Sequence, residues 1–265
     1  MTTTGLIRPQ PVSGPARPPA PSVAAGQVAL RALRKYIRTP GLGAMGVVQS
    51  AGFLFCFRYV FGGAIQAGSG SYVEFLVPSY VAMIVLFTGG GIAVAVADDK
   101  AQGFTDRLRS LPVPRSSLVT GRALADWTTN LWSVATTAAL GFAFGFRLPG
   151  SWQEGLAAFG LCVLYALVFT VVFIVLGLVA PSAQAAQGMS LIAFIFAFLS
   201  SAYVPATSMP GWLQPFSRYQ PVTPMVDAVR SALAGGSSYV GLALVWSALL
   251  LAVFTPLAVA RYRRG

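Results

Sequence analysis

No histidine occurs in these 265 residues, there are only two cysteines, and seven acidic side chains stand against eighteen basic ones. Without histidine the chain lacks the usual neutral-pH base and the commonest metal ligand. Cys56 and Cys162 both lie in apolar stretches, where a thiol behaves as a small hydrophobe with no base to activate it. Metal ligation and Cys/His or Ser/His catalysis are therefore excluded, and no catalytic, cofactor-binding or metal-binding residue is assigned. Charge of either sign is scarce: 9% of residues, where a soluble domain carries roughly a quarter.

What is present instead is hydrocarbon. Hydrophobic residues make up 55% of the chain and the mean hydropathy is +0.70, which places it among integral membrane proteins. A formal net charge of +11 on such a chain has no soluble basic domain to carry nucleic acid. It reads as membrane topology and attraction to anionic lipid headgroups.

The first 26 residues, rich in proline and small side chains and without an apolar core before a cleavage site, read as a disordered cytoplasmic tail. From Gln27, Leu30, Leu33 and Ile37 recur at helical spacing with Arg31, Arg34, Lys35 and Arg38 opposite, the pattern of an amphipathic helix in the headgroup plane. Thr39-Pro40 ends it. A hydrocarbon core of about 30 Å needs roughly 20 mostly apolar residues in helix. Six segments qualify: residues 41–61, 74–96, 123–146, 154–180, 186–204 and 239–260. No period-2 alternation runs through them, so a barrel is excluded.

With both termini in the cytoplasm, fourteen basic residues fall inside: Arg8, Arg17, Arg31, Arg34, Lys35, Arg38, Lys100, Arg107, Arg109, Arg115, Arg122, Arg261, Arg263 and Arg264. Only Arg58, Arg147, Arg218 and Arg230 fall outside, a strong positive-inside bias. The outer stretch from Pro205 to Gly236 contains Pro205, Pro210, Pro215, Pro221 and Pro224, which predict short re-entrant or capping helices before the last span. Arg58 and Glu74 lie near the same membrane face, close enough in the topology to pair.

Between the second and third spans runs a polar insert from Asp98 to Arg115. Gly103 to Leu111 predicts a short helix with Phe104, Leu108 and Leu111 on one face and Asp106, Arg107 and Arg109 elsewhere, stopped by Pro112 and Pro114. Such a helix suits a cleft in a soluble partner. On its residues alone the insert is equally a charged connection that fixes topology.

The stretch QGFTDRLRSLPVPR from Gln102 to Arg115, followed by GRALAD from Gly121 to Asp126, resembles the permease subunits of type-2 ABC exporters, most closely the actinobacterial daunorubicin-resistance type. The stretch from Pro210 to Leu233 is similar to that family's outer segment. The resemblance implies a permease domain over residues 27–265: an all-α integral membrane protein with six transmembrane helices, an N-terminal interfacial helix, a cytoplasmic coupling helix and short outer re-entrant helices. It implies a coupling set of Gly103, Phe104, Asp106, Arg107, Leu108, Leu111, Pro112 and Arg115. It further implies a substrate pathway along the second and fifth spans, where Tyr80, Met83 and Phe87 face Phe194 and Phe198. Many relatives carry an acid where this chain has Gln102; Asp98 and Asp99 are the nearest substitutes.

A phosphate-binding loop needs a glycine-rich turn ending in Gly-Lys-Ser/Thr, and neither Lys35, preceded by Arg34, nor Lys100, preceded by Asp99, lies in one. The resemblance therefore implies two copies of a separate ABC ATPase holding ATP and Mg, and a second permease copy, identical or related. No span carries the buried acid pair of a proton-coupled transporter. The expected function is the permease subunit of an ATP-driven exporter of hydrophobic compounds (drug, natural product or lipid) in the plasma membrane. The alternative is a passive channel or membrane scaffold without an ATPase. The orientation is checked by a Thr105→Cys variant. It is expected to resist an impermeant maleimide in intact cells and to label after permeabilisation; labelling from outside would reverse the topology.

Overall fold

The computed structural model describes residues 40–61, 72–102 and 115–264, with Leu30 and Arg34 ahead of them. Helix α1, Pro40–Phe55, continues as a π-helix over Cys56–Phe61. It is followed by α2, Tyr72–Ala101; α3, Arg115–Ala143; α4, Trp152–Val179; and α5, Ala183–Phe198. A 3-10 turn at Ala206–Ser208 leads to α6, Gln214–Tyr219, then α7, Val222–Leu233, and α8, Val240–Arg264. No strand occurs among the described residues. The predicted tail over residues 1–26, the interfacial helix after Gln27 (Leu30 and Arg34 apart) and the coupling helix over residues 103–111 lie outside them.

A helix covers each of the six apolar segments, but only three are both long and apolar enough to cross a bilayer. These are α2, α4 and α8, with mean hydropathies of 2.1, 2.9 and 2.3 over their most apolar stretches. The other three fall short for different physical reasons. Helices α1 and α5 are apolar but 16 residues long, about 24 Å at 1.5 Å per residue against a core of about 30 Å. Helix α3 has 29 residues but is interrupted by Thr128, Thr129, Asn130, Ser133, Thr136 and Thr137.

Helix α2 is the axis of the bundle, packed on α3, α4, α5 and α7, and its most apolar stretch is largely buried in protein. Glycine makes its closest contacts possible. Gly89 lies flat against the ring of Phe173 on α4, and a Cβ at Gly177 of α4 would sit 2.5 Å from the Ala93 carbonyl oxygen. The Thr88–Gly91 run thus brings helices together, as small residues do between membrane helices. At the opposite extreme, α8 leaves most of its surface exposed.

Asn130 and Thr137 on α3 point inward and bridge its neighbours, while Thr128, Thr129, Ser133 and Thr136 bond carbonyls of their own helix. Asn130, fully buried, bonds Thr88 of α2 through its side-chain oxygen and donates Nδ2 to Thr170 Oγ1 of α4 at 2.8 Å. Ser50 of α1 and Thr137 of α3 share a hydroxyl bond of 3.1 Å. These rungs explain why α3 is polar yet half-buried: its hydrogen-bonding groups are spent within the bundle.

Helix ends are closed locally. Ser151 and Glu154 form a capping box at the start of α4. Helix α3 ends at Gly145, φ +91°, with Phe146 N donating to Gly141 O at 3.0 Å and Gly145 N to Phe142 O at 3.0 Å. Helix α7 ends the same way at Gly235, φ +74°, with Gly236 N donating to Ser231 O at 2.8 Å. Both are Schellman closures, whose left-handed residue favours glycine. Two substitutions test this packing by thermal melting of the detergent-solubilised protein. Gly177→Val is expected to cost about 2 kcal/mol by overpacking, and Gly145→Ala about 1 kcal/mol through left-handed strain.

Candidate functional site

The segment predicted to couple to a partner, residues 103–114, lies outside the described residues, and Arg115 opens α3. The two ends of that segment are described, and both are fastened. Asp99, near the end of α2, forms an ion pair with Arg122 at the start of the third turn of α3. Arg122 also donates Nε to Asp126 Oδ2 at 2.7 Å. All three side chains are partly buried. A guanidinium shared by two carboxylates in such a place is held by both, and removing it strands the acids. Asp99 is therefore committed to a partner within the chain.

Lys100 performs a second fastening. Its ammonium donates to the carbonyls of Leu178 at 3.0 Å and Ala180 at 3.3 Å, at the C-terminus of α4, where a helix lacks intrahelical donors and carries partial negative charge. The end of α2 is thus tied to α3 by one ion pair and to α4 by a lysine cap. The tie to α4 spans 78 residues in sequence, and no local pattern announces it.

The residues expected to line a pathway separate into two environments. Tyr80 and Met83 are buried, at 0% and 1% exposure, while Phe198 is 54% exposed. Phe87 meets Phe194 edge-on at 4.7 Å, joining α2 to α5. Tyr80 stacks on Phe53 of α1 at 4.4 Å, and Phe198 lies 5.3 Å from Tyr203. Phe53, Phe57 and Tyr203 complete a continuous aromatic belt across α1, α2 and α5, with Phe53–Phe57 at 4.4 Å and Phe57–Tyr203 at 5.3 Å. The i, i+4 spacing of Phe53 and Phe57 was the available signal for the α1 share of the belt.

The predicted fifth span, to residue 204, stops at Phe198. The chain unwinds through buried Ser200, Ser201, Ala202 and Tyr203, and residues around α7 satisfy the freed backbone. Arg230 donates to the carbonyls of Ser201 at 3.1 Å and Ala202 at 2.9 Å, and Nε reaches Phe75 O at 3.3 Å. Thr223 Oγ1 accepts from Ser201 N at 3.1 Å, and Gln220 donates to Phe196 O at 2.9 Å. Arg230 also pairs with Asp227 at 3.0 Å and lies 3.6 Å over the Phe75 ring. Burial draws its pKa down to about 10, against the opposing pull of Asp227, so it remains charged at neutral pH. In the sequence Arg230 counts only as one outer charge; its structural role depends on where α5 stops. Arg58 and Glu74 do not pair. Arg58 lies 5.2 Å from the Tyr59 ring centroid and against Gly145, while Glu74 is exposed in the first turn of α2.

The ABC-2 type transporter profile matches residues 25–234, the whole of the bundle described above except α8. The chain belongs to the ABC-2 type transporter family. It is 32% identical over 218 residues to the daunorubicin resistance ABC transporter permease protein DrrB1 of Streptomyces coeruleorubidus, covering 80% of this chain and 76% of that protein. It is 30% identical over 178 residues to the probable doxorubicin resistance ABC transporter permease protein DrrC of Mycobacterium tuberculosis, covering 66% of this chain and 64% of that protein. Together with the apolar helices, the family makes this a multi-pass membrane permease, and it implies association with an ABC ATPase subunit and pairing of permeases.

The α5–α7 junction yields a stability test. Arg230→Met keeps the apolar stem but leaves at least two buried carbonyls without donors, and is expected to cost about 3 kcal/mol or more. Fluorescence-detected size exclusion in mild detergent should show loss of the monodisperse peak, with Asp227→Asn milder.

Proposed function

We propose that this permease is the membrane half of an ATP-driven exporter of hydrophobic compounds, with two ABC ATPase subunits docking on its cytoplasmic face and a second permease copy completing the pathway. The observation that carries this reading is the double fastening at the elbow: Asp99 to Arg122 on α3, and Lys100 to the end of α4. A coupling helix formed by residues 103–111, with Phe104 and Leu108 seated in an ATPase cleft, would then move α2, α3 and α4 together. A connection that served only to set topology would not need its ends joined to three helices. Relatives named for daunorubicin and doxorubicin resistance support a drug-like cargo of that kind.

In this reading all six long helices cross the membrane, the shorter α1 and α5 by means of the π-helix and the buried unwound stretch that extend them. Both termini and the residue 103–114 segment are cytoplasmic. The aromatic belt meets the route between permease copies at exposed Phe198, with Phe194, Phe87, Tyr80 and Met83 packed behind it as the wall that a cargo would have to displace. Aromatic and methionine surfaces adapt to varied apolar cargo.

The permease purified with its ATPase is the test system. Phe104→Asp, or charge reversal at Asp106 and Arg107, is expected to weaken complex assembly and reduce ATP turnover at least tenfold, as loss of a central apolar anchor does. Arg122→Ala is expected to keep the ATPase bound while lowering substrate-stimulated turnover. Unchanged assembly and turnover in the first two variants would remove the coupling role, and a permease that never binds an ATPase would favour the passive reading.

A further inference from the structure

At the end of the bundle opposite the elbow, α2, α3, α4 and α7 enclose a cavity of about 340 Å³. It has no part in the aromatic belt. Its inner wall is Val77, Val81, Ala158, Cys162 and Val229, with no polar side chain in its lining. Its rim is apolar and exposed: Phe142, Leu148, Trp152 and Leu156, at 50%, 39%, 71% and 61% exposure. In a membrane protein such a mouth opens sideways into the acyl chains of one leaflet, and a tryptophan at its edge marks the level of the headgroups.

The rim also carries charge. Arg147 stands between the lining residues Phe146 and Leu148, is exposed, and has no ion-pair partner among the described residues. The guanidinium of Arg58 lies against Gly145 in the same turn, near enough that a Cβ there would sit 3.0 Å from it, and it too has no carboxylate partner. The nearby acid, Glu154, has its carboxylate engaged with the Ser151 amide in the α4 capping box. Two arginines at the turn that edges a hydrocarbon slot, neither with a carboxylate partner among the described residues, match a molecule with one anionic group and one long apolar tail.

We propose that this cavity is a lipid site, taking one acyl chain of a glycerophospholipid from the surrounding leaflet while Arg147 and Arg58 hold its phosphate. The site depends on the chain being membrane-embedded and not on the coupling mechanism, so the two stand or fall separately. The turn bearing Arg147 is at the helix ends, where phosphates lie, and the slot runs from there toward the bilayer interior.

The test uses the full-length permease in nanodiscs containing phosphatidylglycerol with a diazirine in mid-chain. After photolysis, mass spectrometry should place the label on the cavity wall, around Val81 and Cys162. Arg147→Glu should lower cavity labelling about fivefold or more, and Ala158→Phe should abolish it by filling the slot. Because Arg147 is exposed, its variant keeps the measurement informative if Ala158→Phe fails to fold. Label spread evenly onto Val245 and Val253 of exposed α8, equal labelling by an uncharged diacylglycerol probe, or insensitivity to Arg147→Glu would each overturn the site. Displacement of the label by daunorubicin at one site per chain would assign the cavity to cargo and equally overturn it.

Discussion

A polypeptide in hydrocarbon must satisfy its backbone polar groups from its own atoms, and in this bundle the demand is sharpest where α5 stops. The chain beyond Phe198 is buried without being helical, and its amides and carbonyls are met by Thr223, Gln220 and Arg230. Thr223 and Arg230 are carried by α7 and Gln220 by the turn before it, a proline-rich stretch that would otherwise look like mere connection. The α6–α7 hairpin is thus a polar plug that lets α5 end early. Because Arg230 also grips the Phe75 carbonyl and ring, the plug is locked to the start of α2.

The same economy runs through the rest of the structure. Asn130 joins three helices with one side chain, and Arg122 and Lys100 tie the opposite end of α2 to α3 and α4. Helix α2 is therefore fastened to its neighbours at both ends and in the middle. A displacement delivered at the elbow would be shared among these helices rather than absorbed by one of them.

Much of this was legible in the sequence, and the parts that were not have physical causes. Hydropathy located α2, α4 and α8 because each is a long uninterrupted apolar run, and the proline spacing after residue 204 announced short helices. The end of α5 was misplaced because Ser200 and Ser201 are tolerated inside membrane helices, and only the grip of Arg230 on the Ser201 and Ala202 carbonyls shows that the helix has already stopped. The polar face of α3 was visible as composition but not as a ladder, because Thr88, Asn130 and Thr170 are separated by 42 and 40 residues. At the elbow, Asp99 was available as a possible substitute for the acid missing at Gln102, but its engagement by Arg122 requires the fold. Of the aromatic belt, the α2 and α5 members were legible and Tyr203 was not, since it enters through the unwound stretch.

The absence of a Cβ at Gly177 lets α2 and α4 touch main chain to main chain, Ala93 carbonyl against bare methylene. The side chain nearest this contact is Val96, stiff at its branched Cβ, so little soft material lies there to compress. At this level the two helices form a single piece, and any side chain added at residue 177 would have to wedge them apart.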